Sequence, residues 1–207
     1  LLYSQNCPQW AIAFYAVLRA DAVVVPVNPM NHQAELQHLL SHAQPVMAFC
    51  AAELAGRLQS AQAANTADGK ASTLKEVVVI RYDDLLDEAC GAAPSAGSSP
   101  DDMPAWAREP HPHVEGFRRW PQVLSEGRGM DPGTTEATRD DLAILPFTSG
   151  TTGLPKGCMH PHRTVMHNVK AAVGWSGYDT ETVSLSVLPL YHVAGMLAGM
   201  HTPFSQA

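Results

Sequence analysis

The residues best suited to chemistry lie in one loop, between an apolar run and a helical pattern. This loop combines hydroxyl side chains, glycines and a single lysine, Lys156. Glycines let consecutive backbone N–H groups point at one anion, hydroxyls donate to phosphate oxygens, and the N-terminus of a following helix adds a positive dipole end. The composition therefore predicts a polyphosphate-binding loop, which reads Thr148-Ser149-Gly150-Thr151-Thr152-Gly153-Leu154-Pro155-Lys156-Gly157.

The order of residues around the lysine separates this loop from the Walker A loop of kinases and GTPases. A Walker A loop has Gly before its Lys and Ser or Thr after it, whereas Pro155 precedes Lys156 here and Gly157 follows it. On composition alone, a surface turn without a ligand is the alternative interpretation. The lysine and the hydroxyls favour phosphate, because a charge-assisted contact of this kind contributes about 1.5–3 kcal/mol.

The complete string resembles the phosphate-binding signature of the adenylate-forming superfamily, which includes acyl-CoA synthetases, luciferases and the adenylation domains of peptide synthetases. Two further segments stand in the superfamily's order: residues 22–29 resemble its early strand motif, and residues 188–195 resemble its aromatic–histidine segment. Asp21 departs from the pattern, since the family usually has Gly there, and we expect this change to affect packing rather than chemistry. The resemblance runs from about Asn6 to the end of the chain, interrupted by a Pro-rich stretch.

What the resemblance implies is a two-step reaction. In the first step a carboxylate attacks the α-phosphorus of ATP to give acyl-AMP and pyrophosphate. In the second step a thiol, usually that of coenzyme A, takes the acyl group. Residues 81–84 and 157–160 resemble those of bacterial fatty-acyl-CoA ligases and favour a fatty acid as the carboxylate. Mg²⁺ would arrive with ATP, with no metal ligand assigned to the protein. The resemblance implies that Tyr191, His192 and Gly195 border the acyl pocket or the path of the thiol. It implies ATP-phosphate contacts from Thr148, Ser149, Gly150, Thr151, Thr152, Gly153, Lys156 and Gly157.

Several motifs that the family needs for catalysis do not occur in these 207 residues. They include the Tyr-Gly-x-Thr-Glu motif, a ribose-binding Asp, an Arg near the hinge and a C-terminal catalytic Lys. We therefore expect a piece of the large N-terminal domain of a longer protein, with no complete catalytic set of its own. A non-catalytic nucleotide-binding remnant and an adenylation domain that loads a carrier protein are the alternative hypotheses.

Composition excludes other classes of function. A net charge of −7 with only four lysines leaves no basic face for a nucleic acid. The most apolar stretch, residues 10–27, carries Arg19 and Asp21 in its middle, which excludes a transmembrane helix. The four cysteines are widely spaced and the chain shows no secretory signal, so we predict a cytoplasmic protein, or one peripheral to a membrane, with reduced thiols. Its oligomeric state is left open.

The surrounding pattern predicts an α/β fold, with layers of parallel strands and flanking helices. We expect an α/β subdomain over 1–90, a mobile Pro/Gly-rich insertion over 91–135 whose far end docks as a short helix, and the phosphate-loop segment over 136–207. Predicted strands cover 22–27, 45–50, 77–80, 142–147 and 183–188. Predicted helices begin at Pro8, follow an Asn31 cap, and cover 52–64 and 162–173.

Overall fold

The structure of the chain is a computed structural model that describes residues 1–86, 104–148 and 154–206. The chain divides into two compact units by its contacts. The first unit contains Leu1–Asn31 and Pro132–Ala207, and the second contains His32–Asp131.

The predicted division at residues 90 and 135 rests on composition, and it stays a prediction about domain organisation. Residues 87–103, which include the beginning of the predicted insertion, lie outside the described residues.

Helices and strands alternate along much of the chain. The helices are α1 (Pro8–Arg19), α2 (Gln33–Ala43), α3 (Ala55–Ala67), α4 (Trp120–Gly127), α5 (His162–Ser176), α6 (Val193–Met196) and α7 (Thr202–Phe204), with a π-helical turn, Leu197–His201, joining the last two. The strands are β1 (Leu2–Tyr3), β2 (Pro26–Val27), β3 (Met47–Ala51), β4 (Glu76–Ile80), β5 (Arg118–Arg119), β6 (Leu142–Ile144), β7 (Phe147–Thr148), β8 (Lys156–Gly157) and β9 (His160–Pro161). Short 3₁₀ turns cover Ala52–Leu54, Asp84–Leu86 and Ala105–Ala107.

The second unit is a parallel sheet with helices packed on it. Strand β4 pairs in parallel with β3 on one side and with β5 on the other. Continuous apolar runs suit such strands, because parallel strands are covered on both faces. Helices α2 and α3 pack against each other and supply their apolar faces to the same core. The buried side chains include Leu36, Leu39, Ala48, Cys50, Leu58, Val78 and Ile80.

The end of the predicted insertion is built into this second unit. Trp120 is buried, and its ring lies 6.0 Å from the ring of Phe49 in an edge-to-face arrangement. Arg118 of β5 donates to the carboxylate of Glu76 at 2.5 Å. The predicted short helix near Trp120 is confirmed by α4, and the aromatic burial explains why this stretch is ordered despite its prolines.

The first unit places the phosphate-loop segment beside the N-terminal elements of the chain. Strands β1 and β2 pair in parallel, and Val24 forms a parallel bridge with Ile144 of β6. The bridge is made by two backbone hydrogen bonds, Val24 N–H to Ala143 at 2.9 Å and Leu145 N–H to Val24 at 2.8 Å. Strand β6 also pairs with β9 in antiparallel fashion. The parallel strands and flanking helices of the two units confirm the predicted α/β class.

Two details of the predicted elements are wrong. Helix α2 is capped by His32 rather than Asn31, because the His32 N–H donates to Glu35 at 2.7 Å in a reciprocal capping box. Residues 183–188 form no strand, although Val183, Leu185 and Val187 alternate as a strand would. A strand needs a neighbour that supplies backbone partners, and no described residue pairs with this segment.

Asp21 stands where the family usually has glycine, and its side-chain contacts show how the structure accommodates it. Its backbone has φ 53°, a left-handed conformation that favours glycine. The carboxylate accepts hydrogen bonds from the Thr135 hydroxyl at 2.5 Å and from the Glu136 N–H at 2.7 Å. These bonds, first of all that from Glu136, hold the pKa of the Asp21 carboxyl below its usual value. The aspartate therefore ties residues 135–136 to the end of α1, which is the packing role expected of this position.

Among the described residues, no helix is both long enough and apolar enough to cross a lipid bilayer.

Candidate phosphate and acid site

A short β-hairpin closes the predicted phosphate loop. Strands β7 and β8 pair in antiparallel fashion, with Thr148 opposite Lys156 and Phe147 opposite Gly157. The Thr148 hydroxyl also donates to the Lys156 carbonyl at 3.4 Å. The two ends of the loop are thereby held together, with the exposed Lys156 side chain at its base. Ser149, Gly150, Thr151, Thr152 and Gly153 lie outside the described residues, so their phosphate contacts stay predictions.

Close packing behind the hairpin explains the glycine that follows the lysine. A Cβ atom on Gly157 would lie 3.0 Å from the Leu145 side chain and 3.4 Å from the Phe147 ring. The next residue, Cys158, donates its N–H to the Pro146 carbonyl at 2.8 Å. A side chain at position 157 would therefore require the Leu145 side chain to shift by a few tenths of an ångström.

The helix after the loop does not offer its first N–H groups to a phosphate. Strand β9 stands between the loop and α5, and the His162 N–H donates to the Asp141 carbonyl at 3.1 Å. The Arg163 N–H donates to the Arg139 carbonyl at 2.8 Å. These two N–H groups are therefore not available to a phosphate, and the expected contribution of the helix dipole to the anion site stays a prediction.

The aromatic–histidine segment forms a tight turn into α6. The His192 ring accepts a hydrogen bond at Nδ1 from the Ala194 N–H at 3.2 Å and so caps this helix. The His192 N–H donates to the Pro189 carbonyl at 3.0 Å. Gly195 is buried against the same turn, and a Cβ atom there would lie only 1.9 Å from the Pro189 oxygen. Gly195 therefore allows the turn and the helix to touch, while its place in an acyl pocket stays a prediction.

A largely apolar cavity adjoins this helix; we call it the Val193 cavity. Its volume is about 310 Å³. Helix α6 and the turn after it form one wall, directly after Tyr191 and His192 in the chain, and α5, β9 and the end of β6 form the rest. The lining residues are Ile144, His160, Val165, Asn168, Val193, Ala194, Met196, Leu197 and His201.

The buried His201 and the partly exposed Tyr15 form a polar pair that the sequence-based predictions did not include. The Tyr15 hydroxyl and the His201 Nδ1 are 2.9 Å apart, and the His201 Nε2 has no hydrogen-bond partner among the described residues. Burial lowers the pKa of His201 to about 4 and raises the pKa of Tyr15 to about 12. The two residues are 186 positions apart, so no local spacing in the sequence could have indicated the pair.

We expect acidification to destabilise the folded chain through His201. Its pKa falls from 6.5 to about 4 on folding, so the unfolded chain binds more protons between these values. The stabilisation of the folded state by the neutral His201 ring is fully present above pH 6.5 and is lost as the pH falls towards 4. The free energy of unfolding should therefore fall by about 2 kcal/mol between pH 7 and pH 5. Urea unfolding at the two pH values measures this loss.

The His201→Gln variant should lose about 2 kcal/mol less than the wild type over this interval. His113→Gln, which removes an exposed histidine of the second unit, is the matched control and should behave as the wild type does. An unchanged pH dependence in His201→Gln would contradict the buried, neutral imidazole.

The C-x-H-x-H sequence of Cys158, His160 and His162 suggests zinc ligands by its residue types alone. Within the described residues, no three His, Cys, Asp or Glu side chains come together in a way that could hold a metal ion.

Comparison with known proteins relates this chain to one family over its whole length. The family model described as AMP-binding enzyme matches residues 1–207. The long-chain-fatty-acid–CoA ligase of Salmonella typhimurium is 27% identical over 197 residues, which are 93% of this chain and 33% of that protein. The chain thus spans about one third of the length of the curated relatives it matches.

Solved structures agree with the fold. A long-chain-fatty-acid–CoA ligase from Archaeoglobus fulgidus superposes with a TM-score of 0.67 at 20% identity, covering 97% of this chain and 33% of that one. An anthranilate CoA ligase in complex with anthranoyl-AMP gives a TM-score of 0.66 at 17% identity, covering 99% and 33%. Together with the loop, the strand motif and the aromatic–histidine segment, the match over the full length shows that the chain belongs to the AMP-binding enzyme family.

Proposed function

We propose that this segment belongs to an ATP-dependent acid–thiol ligase that activates a fatty acid. In the first step a carboxylate oxygen forms a bond to the α-phosphorus of ATP while the bond to the β-phosphate breaks, releasing pyrophosphate. In the second step the sulfur of coenzyme A forms a bond to the acyl carbon, and AMP leaves. This chain would contribute to the first step through the phosphate loop and to substrate selection through the Val193 cavity.

The hairpin that closes the loop is the observation that carries the proposal. It holds the Thr148 hydroxyl and the Lys156 ammonium on facing strands, at the base of the segment that contains Gly150 and Gly153. The positive charge of Lys156 would stabilise the charge that develops on departing pyrophosphate. The Thr148 hydroxyl, which donates to the Lys156 carbonyl, would exchange that bond for one to a phosphate oxygen. Mg²⁺ bound to the nucleotide would neutralise further charge, and this chain is assigned no protein ligand for it.

The composition of the Val193 cavity supports an apolar acid. Its wall is mostly aliphatic, with Ile144, Val165 and Leu197 among the lining residues. Burial of apolar surface contributes about 25 cal/mol per Å², so an alkyl chain gains affinity along such a wall. Relatives named as ligases of long-chain fatty acids agree with this choice, whereas the anthranilate ligase shows that the fold alone does not select it.

We propose coenzyme A as the thiol acceptor. Tyr191 and His192 stand immediately before the cavity wall, where we place the acid pocket or the entry path of coenzyme A. A carrier-protein thiol is the alternative acceptor. Because the reaction consumes ATP and coenzyme A, we propose that the protein works in the cytoplasm.

Acid-dependent exchange of labelled pyrophosphate into ATP tests the proposed first step. We would measure it on the 207-residue chain and on the full-length product of the gene that encodes this segment, with palmitate, anthranilate or no acid. We expect exchange by the full-length product with palmitate and none by the chain alone, because misplacement of reacting groups by about 1 Å already costs about 100-fold in rate. Thioester formation with coenzyme A, measured in the same mixture, identifies the acceptor.

The other outcomes have defined meanings. Nucleotide binding without exchange in the full-length product would contradict a ligase and favour a non-catalytic nucleotide-binding protein. Exchange with anthranilate but not palmitate would contradict the fatty acid while leaving the ligase intact. Comparable exchange by the chain alone would show that the catalytic groups lie within these residues.

A further inference from the structure

Asn6 makes a two-point contact with the segment that leads into the aromatic–histidine turn. Its side-chain Nδ2 donates to the Leu188 carbonyl at 2.9 Å, and its Oδ1 accepts from the Leu190 N–H at 2.7 Å. One amide group thus pairs with both the acceptor and the donor that surround Pro189, as a neighbouring strand would. Neither contact is available to a side chain that lacks both a donor and an acceptor.

The position of Asn6 in the first unit makes it a rigid support. It stands in the short connection between β1 and α1, at the carboxyl end of a strand whose residues Leu2 and Tyr3 are buried. Helix α1 begins two residues later with Pro8, and its Gln9 and Trp10 are also buried. The connection is therefore fixed at both ends.

The segment that Asn6 contacts has little support of its own. Residues 183–190 contain no helix or strand. Apart from the two bonds to Asn6, the hydrogen bonds described for residues 183–192 stay within 185–196, such as Val187 N–H to Leu185 and Met196 N–H to His192. Leu190 is buried, while Val187 and Leu188 are exposed. Asn6 is therefore the hydrogen-bonding link between this segment and the N-terminal elements.

We propose that Asn6 is a positioning residue for Tyr191 and His192: its amide fixes the backbone on both sides of Pro189 and so sets where the two side chains stand. The inference rests on the proposed function for the role of those two residues, but its geometry does not. The direct link runs through the backbone, because His192 donates its N–H to the Pro189 carbonyl at 3.0 Å. A shift of Pro189 would therefore move His192 as well.

The first test is structural and uses the 207-residue chain. In Asn6→Ala, exchange of the Leu190 amide proton should accelerate by about three- to tenfold, since a typical hydrogen bond of this kind is lost. NMR signals of the His192 ring nitrogens should shift, while amides of α1 and of the second unit keep their exchange rates. Gln5→Ala removes the neighbouring exposed side chain instead and should leave both readouts unchanged.

A second variant separates the two hydrogen bonds and protects the test against misfolding. Asn6→Asp keeps an acceptor for the Leu190 N–H but places an oxygen against the Leu188 carbonyl. We expect the Leu190 amide to stay protected while the His192 ring signals shift. Unchanged His192 signals in both variants, or an equal acceleration of all amides, would overturn the positioning role.

The functional consequence is measured in the full-length product. With Asn6→Ala we expect the KM for the carboxylic acid to rise about fivefold or more, with the KM for ATP unchanged, because Asn6 contacts Leu188 and Leu190 rather than the described residues of the phosphate hairpin. A parallel change in both constants would contradict positioning of the acid pocket. If the full-length product shows no exchange at all, the proposed function fails, whereas the amide and ring signals still decide the role of Asn6 in the fold.

Discussion

Replacement of Gly195 by alanine is expected to lower the free energy of unfolding of the chain by about 3 kcal/mol or more, the upper range for overpacking. The new methyl group would lie 1.9 Å from the Pro189 oxygen and 2.5 Å from the Pro189 carbonyl carbon. These are backbone atoms, and the turn that contains them is held by Asn6 and by the hydrogen bond from the His192 N–H to the Pro189 carbonyl. The clash can be relieved only by moving α6 and the Pro189 turn apart, and urea unfolding followed by circular dichroism measures the cost.

Gly199→Ala is the matched control for this prediction. A Cβ atom there would lie 2.3 Å from the Ser186 hydroxyl oxygen, which is the end of a rotatable side chain. Rotation of Ser186 relieves most of this contact, so we expect a loss below about 1 kcal/mol. Equal and small losses in both variants would show that α6 does not pack on the Pro189 turn as described.

Replacement of Lys156 by alanine is expected to weaken polyphosphate binding by about 10- to 100-fold, the equivalent of one charge-assisted contact. The fold should not change, because the Lys156 side chain is exposed and the pairing of β8 with β7 is made by the backbone. Calorimetric titration of the chain with pyrophosphate in the presence of Mg²⁺ measures the affinity, and thermal unfolding of the same sample checks the fold.

Lys170→Ala removes the same charge from the exposed face of α5 and separates local contact from general attraction. It should weaken binding by less than about twofold at physiological ionic strength, where exposed charges farther apart than about 8 Å are largely screened. Equal effects of the two substitutions would refute a specific role for Lys156.

Much of the fold follows from local patterns in the sequence. Continuous β-branched runs predict β4 and the strand region that ends at Val27, and apolar spacing predicts α2, because these elements bury most of the residues that define the pattern. The prediction of a strand over 183–188 is wrong because alternation shows only that a segment suits a sheet. Whether it pairs depends on a neighbouring strand elsewhere in the chain. The docking of Trp120 against Phe49 likewise depends on a contact between distant residues.

The candidate site likewise has parts that local sequence predicts and parts that depend on contacts between distant residues. The phosphate loop is continuous in sequence, so its residue types are enough to predict phosphate binding. The pairing of Thr148 with Lys156 in a hairpin is a structural finding that the residue types did not predict. The roles of Asn6, Tyr15 and His201 depend on side chains that meet across more than 180 positions. The occupied N–H groups of α5 were also unpredictable, since their acceptors, Arg139 and Asp141, carry no local signal for that pairing.

The most direct test of the central claim is an NMR titration of the isotope-labelled 207-residue chain with pyrophosphate and Mg²⁺. If the loop is the phosphate site of an adenylate-forming enzyme, the amide signals of Gly150 to Gly153 shift first, and Lys156→Ala reduces those shifts. An unchanged spectrum at millimolar pyrophosphate, or shifts confined to the second unit, His32–Asp131, would contradict the claim.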